Sequence, residues 1–257
     1  MLLCRLHTAP VRHAFYLWSL GSCPRWLVWH IGFSVALLAA RQGARVSITS
    51  SNPTRVANAV TKLKSQLHAS TNDPSIQGFV LDLAAPDVEQ RLEQLPADVS
   101  RPASSESNKL DHIVVTAGRA LVRPPAKTDR DPRFLRQSPG CTSSLVFCGG
   151  RASEKPIKGW PAAAAYAAGL NGLTRALALG FAPMAIRVNV VHPGATETEI
   201  WGATEEQRWG VKEAFEKAAL LGKVGRPEEV AEAFVYLLRD SNATGVSVHS
   251  SGGVLVQ

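Results

Sequence analysis

The chain has 257 residues, 45% of them hydrophobic and 19% charged, enough for one full-sized core and too apolar for extended disorder. Its 28 Lys and Arg against 21 Asp and Glu give a net charge of +7; the cations are scattered, with no dense run and no interleaved aromatics, so no nucleic-acid partner is expected. Cys4, Cys23, Cys141 and Cys148 show neither CxxC spacing nor a histidine cluster, which argues against zinc or any other metal and for reduced thiols.

Residues 1–30 stand apart. They hold Trp18, Trp26 and Trp29 with Arg5, Arg12, Arg25, His7, His13 and His30, and the first acidic residue of the chain is Asp73. A basic, acid-free segment of this kind resembles a targeting peptide in composition, so an organellar destination is the alternative to a cytoplasmic one. Arg25 and His30 break the apolar run before it reaches the roughly 18 residues a membrane span needs, and no membrane association is expected. The segment 1–30 is therefore read as irregular and 31–257 as one domain.

From residue 32 onward helical periods alternate with short β-branched runs, the pattern of repeated βαβ units. Residues 32–43 predict a helix closed by Gly43, and 45–50 (RVSITS) a strand. Residues 54–68 predict a helix capped by Thr54, with Val56, Val60, Leu63 and Leu67 on one face. Strands follow at 78–83 and 111–118, separated by a helix over 86–95. Pro124, Pro125, Pro132 and Pro139 then forbid a long helix in 119–140, where a parallel crossover ordinarily places one. Beyond it, 143–148 and 186–192 predict buried strands flanking an alanine-rich helix over 162–180. Residues 225–239 predict a helix with Pro227 at its first position, Glu228 and Glu229 in its first turn and Arg239 at its end. Residues 244–256 close the sheet. The expected fold is α/β: a doubly wound, mostly parallel Rossmann-type sheet with helices on both faces, irregular at its first strand and loop and across 119–140.

Several segments together resemble the short-chain dehydrogenase/reductase family: IGFSVALLAARQGARV (31–46), LDL (81–83), LDHIVVTAG (110–118), GLTRALAL (172–179), IRVNVVHPGATETEI (186–200), GRPEEVAEAFVYLL (225–238) and ATGVSVHSSGG (243–253). Each is weak alone; their order and spacing over more than 200 residues are specific. The resemblance implies a nicotinamide cofactor and hydride transfer to or from a carbonyl or alcohol. Of the family's glycine-rich phosphate loop only Ile31-Gly32 remains, with His30 in place of the preceding glycine. Strand 45–50 runs into Ser51 and Asn52 without an acidic residue for a ribose hydroxyl, and Arg55 follows, which suits a 2′-phosphate and favours NADP (NADPH) over NAD. Asp82 and Leu83 match the pair that contacts adenine, Ala117 and Gly118 the end of the next strand, and Pro193, Gly194 and Thr198 the turn beside the nicotinamide.

The family's acid is a tyrosine whose phenol is activated by a lysine four residues on, with a serine that polarises the carbonyl. If GLTRALAL sets the register, those positions are Ala163, Ala167 and Gly150. A second register keeps the serine-to-tyrosine interval of thirteen with Ser153 and Tyr166, the catalytic candidates here, but places Leu170 where the lysine belongs. The expected activity is NADP-dependent oxidation or reduction of a small, hydrophobic metabolite, of a kind met in secondary metabolism; Trp201, Trp209 and Phe215 lie on the stretch that closes over substrate in this family. The alternatives are a ligand-binding or non-redox member depleted of catalytic groups, or a chain whose coding frame is altered over 1–30 and 119–140. Family members form dimers and tetramers, and the irregular crossover leaves homo-oligomerisation open.

Overall fold

The computed structural model describes residues 14–19, 29–70, 73, 75–82, 85–87, 90–91, 94, 110–116, 143–198, 201 and 204–257. The strands are β1 (Ala14–Ser19), β2 (Arg45–Ser50), β3 (Ile76–Val80), β4 (His112–Val115), β5 (Ser144–Cys148), β6 (Arg187–Pro193) and β7 (Ser247–Ser250). The helices are α1 (Trp29–Arg41), α2 (Pro53–Gln66), α3 (Pro161–Phe181), α4 (Glu205–Lys217) and α5 (Pro227–Arg239). All pairings are parallel and the strand order is β3-β2-β1-β4-β5-β6-β7. The order reverses between β1 and β4, which makes the crevice outside their carboxyl ends the ligand-binding side of such a sheet.

One expectation is corrected. Residues 1–30 are not wholly outside the sheet: Ala14–Ser19 pairs with β2 from Ala14↔Arg45 to Ser19↔Ser50 and with β4 from Phe15↔His112 to Trp18↔Val115, so it is a central strand. AFYLWS alternates weakly and lacks Val, Ile and Thr, the usual marks of a buried parallel strand; its pairing partners, not its own pattern, make it one. The segment 119–140, and with it the crossover between β4 and β5, lies outside the described residues.

The sheet separates two cores. On one side α1, α2 and α5 pack with Val35, Leu63, Val146, Val191, Phe234 and Leu237; on the other, α3 packs Leu177, Ala178 and Phe181 against Leu110, Ile113, Ile186 and Val188. β6 is buried at all seven positions and serves both cores through the two-residue period of a strand. Its odd-numbered side carries polar groups with fixed partners: the Arg187 guanidinium donates to the carbonyls of Leu237 (2.6 Å), Leu238 (2.9 Å) and Ala243 (3.3 Å), and the Asn189 amide to Ala243 (2.8 Å). The Arg187 guanidinium thereby satisfies the Leu237 and Leu238 carbonyls at the carboxyl end of α5, which have no partner within the helix, and Asn189 holds the turn that follows. α5 itself begins as expected, with Pro227 at its first position and a Glu229 carboxylate accepting from the Arg226 N–H at 2.8 Å.

Candidate active site

At the carboxyl end of β2, Asn52 caps α2: its side chain accepts from the Arg55 N–H at 3.0 Å, with Pro53 at the first helical position. The expected cap, Thr54, is inside the helix. Asn52, read as a cofactor contact, thus has its amide oxygen engaged by the backbone, while Ser51 and Arg55 lie half-buried at the rim of the crevice. α1 starts at Trp29, three residues earlier than expected, which puts Gly32, buried, in its first turn, where amides unpaired within the helix attract anions. Asp82 lies half-buried just beyond β3. Leu83, Ala117 and Gly118 lie outside the described residues.

Pro193 ends β6, and Gly194 follows where the chain presses against the turn after β7: a Cβ on Gly194 would stand 2.6 Å from the Ser251 Cα. Only glycine permits that approach. Thr198, 5% exposed, has a buried hydroxyl without a hydrogen-bond partner among the described residues. A buried, unsatisfied hydroxyl costs about 1–3 kcal/mol, and a carboxamide or carbonyl in the crevice would relieve it. The residues present therefore fit a nicotinamide at this turn: Pro193 and Gly194 would shape its pocket and Thr198 would donate to its amide.

The centre of the site is a network that sequence reasoning did not anticipate. β5 ends in Cys148-Gly149-Gly150 and passes into a 3-10 turn, Arg151–Ser153. Opposite, near the end of β6, His192 is fully buried. Its Nδ1 lies 3.1 Å from the Gly150 N–H and 3.3 Å from Ser153 Oγ. Its Nε2 lies 2.7 Å from Asn171 Oδ1 on α3, an oxygen that also accepts from Ser247 Oγ at 2.9 Å. The Asn171 amide nitrogen donates to Glu154 at 3.4 Å. A Cβ on Gly149 would collide with Nδ1 and Cε1 of the ring, so this glycine makes room for the imidazole. The His249 ring stacks on His192 with centroids 4.9 Å apart. Burial, then the neighbouring His249, pushes the His192 pKa down to about 4, so the ring is neutral at physiological pH.

Ser153 is thus brought to a histidine, and no hydrogen bond joins it to Tyr166 among the described residues. Tyr166 lies on α3, 40% exposed, and its phenol is pushed up by desolvation and then by the neighbouring Cys148. That is the wrong direction for an acid working near neutrality. At the family's lysine position Ala167 is buried, 4% exposed. The sequence did carry two signals of the network: a histidine near the end of a β-branched strand, and Asn171 four residues after Ala167, on the same helix face. Cys148 is a buried free thiol with its pKa raised to about 12 by desolvation, an inert core group rather than a nucleophile.

Above this end of the sheet, Trp201 stacks on Phe215 of α4 at 5.5 Å, and the Arg151 guanidinium covers the other part of the cluster, 5.2 Å from the Phe215 centroid. Trp209 is 67% exposed. The expected closing segment is therefore tied by an aromatic stack and a cation–π contact to the turn that carries Ser153. Among the described residues there is no group of metal ligands and no helix long and apolar enough to cross a membrane.

The family profile of the SDR-like Rossmann domain matches residues 133–257. The chain is 39% identical over 247 residues to the short-chain dehydrogenase/reductase ATR9 of Stachybotrys chlorohalonatus, covering 88% of this chain and 93% of that one. It is 34% identical over 251 residues to the short-chain dehydrogenase/reductase fsr5 of Gibberella fujikuroi, covering 88% and 91%. Among solved structures, the MalC reductase/Diels-Alderase of Malbranchea aurantiaca superposes with a TM-score of 0.74 at 28% identity over 96% of both chains. With the parallel sheet, its switch point and relatives matching across nearly the whole length, the chain belongs to the short-chain dehydrogenase/reductase family, whose members use nicotinamide cofactors.

Proposed function

We propose that the protein is an NADP-dependent oxidoreductase acting on a carbonyl or alcohol of a small, hydrophobic metabolite of secondary metabolism, in the cytoplasm. The observation that carries this reading is Thr198, whose buried hydroxyl has no partner among the described residues beside the Pro193-Gly194 turn. The preference for NADP rests on the end of β2, where Ser51, Asn52 and Arg55 offer a cation and hydroxyls in place of a carboxylate. The cofactor, when bound, supplies or accepts the hydride; the chain's own groups hold it and manage the proton. The relative solved as a reductase/Diels-Alderase supports a reductive reading, and the Trp201–Phe215 stack supports an apolar substrate.

A thermal-shift titration tests this, because a ligand bound only by the native state stabilises it by about 2.7 kcal/mol at a hundredfold excess over its dissociation constant. NADPH should raise the melting temperature more than NADH does. Arg55→Ala should cut the NADPH shift and spare the NADH shift, and Thr198→Val should weaken both. Equal shifts with both cofactors would remove the NADP preference, and no shift with either would remove the cofactor reading.

The alanines at 163 and 167 favour a second reading, a member that binds cofactor or ligand without redox turnover. It expects the NADPH shift without consumption of NADPH by any carbonyl substrate.

A further inference from the structure

We propose that Ser153, His192, Asn171 and Glu154 form a directed proton relay, in which Ser153 meets the substrate oxygen and His192 is the positioning residue that takes its proton. The relay rests on the oxidoreductase reading and replaces the missing tyrosine and lysine.

Its direction follows from what each group can donate. A carboxylate only accepts, so the Asn171 NH2 faces Glu154 and its Oδ1 faces His192 Nε2. An amide oxygen only accepts, so Nε2 carries the imidazole hydrogen. At the other end, Nδ1 lies 3.1 Å from the Gly150 N–H, which donates, and 3.2 Å from the Gly150 carbonyl, which accepts, so that residue allows either tautomer. The shorter 2.7 Å contact of Nε2 with the Asn171 oxygen sets the proton on Nε2 and leaves Nδ1 bare. The Ser153 hydroxyl, 3.3 Å from that bare nitrogen, directs its proton inward and presents its lone pairs to the crevice. A hydroxyl held this way takes a proton from an alcohol substrate, and the same relay run in reverse returns it to a carbonyl.

The step balances as follows. The carbinol C–H bond breaks and its electron pair leaves as hydride to the oxidised nicotinamide. The alcohol O–H bond breaks, its electron pair forms the C=O bond, and its proton passes to Ser153 Oγ as the Ser153 proton passes to His192 Nδ1. The Gly150 carbonyl, 3.2 Å from Nδ1, and Ser153 Oγ are both placed to accept from the new N–H. Asn171 Oδ1 holds Nε2–H, and the Glu154 carboxylate behind it favours the cation. Because His192 is fully buried, bulk water does not reach the ring and Ser153 is its outlet. The charged or titratable neighbours acting on the ring are Glu154, beside the 151–153 turn, and His249, stacked from β7; α3 contributes the neutral Asn171.

The test uses the full chain labelled with 15N in its histidines. Two-bond proton–nitrogen correlations at pH 7 should show His192 as the Nε2–H tautomer, Asn171→Leu should mix the tautomers, and Ser153→Ala should shift Nδ1 alone. With NADP+ and a panel of secondary alcohols, Asn171→Leu should lower kcat at least tenfold with KM within threefold. Asn171→Asp should retain activity and move the acid limb of the kcat profile up by at least one pH unit. A wild-type chain that binds NADP+ but carries the proton on Nδ1 overturns the relay alone, as does Ser153→Ala with unchanged kcat. A wild-type chain with no NADP+-induced thermal shift overturns the redox reading beneath it.

Discussion

His192 makes the protein's stability fall with acid before its carboxylates titrate. The ring is fully buried and its pKa is lowered from 6.5 to about 4, so between these values the unfolded chain binds a proton that the folded chain refuses. Stability tied to this group is whole above pH 6.5 and is lost as pH falls towards 4. A shift of this size is worth about 3 kcal/mol in all, of which about 2 kcal/mol is gone by pH 5. Asp73, Asp87, Glu206, Glu229 and Asp240 all have lowered pKa values, and their losses come mainly below pH 5. Urea denaturation at pH 7 and pH 5 of the wild type and of His192→Gln isolates the effect. The wild type should lose about 2 kcal/mol more than the variant over that interval. Equal losses in the two proteins would refute the reasoning, because they would mean that the imidazole ionises as freely folded as unfolded.

Gly149→Ala places a methyl group against a ring held at both nitrogens; the expected cost is about 1–3 kcal/mol, read by the urea midpoint, together with loss of the His192 tautomer signal. Arg187→Met should cost about 3 kcal/mol by chemical denaturation, since the Leu237 and Leu238 carbonyls at the end of α5 lose their guanidinium donor while Ala243 keeps only Asn189. Tyr166→Phe should leave thermal stability and any NADPH-linked turnover within about twofold, because the phenol has no described partner in the site; a large loss of turnover would return Tyr166 to the role of acid.

The elements with their own punctuation were legible in the sequence. Pro227, Glu228 and Glu229 announced α5, and the β-branched run of 186–192 announced β6, because caps and β-branched enrichment are local signals. β1 was not legible, since AFYLWS is made a strand by β2 and β4 on either side of it. The interval of thirteen between Ser153 and Tyr166 was a distance along the chain, and a helix converts such distances into angles. On α3 the inward stripe runs through Ala167, Leu170, Thr174 and Leu177, with Asn171 alongside it, and Tyr166 falls on the exposed side. The network around His192 joins four segments distant in sequence, so no spacing rule exposes it.

β6 behaves as a gauge fixed at both ends. Arg187 and Asn189 can be satisfied only on the α5 side, and His192 only on the α3 side. A slip of one residue would bury a guanidinium among Leu177 and Phe181 and turn the imidazole away from Asn171. Insertions and deletions are therefore expected to be tolerated in the turn before this strand, and neither within it nor in the Gly194 turn that follows, because either would change the height of residue 192 above the crevice.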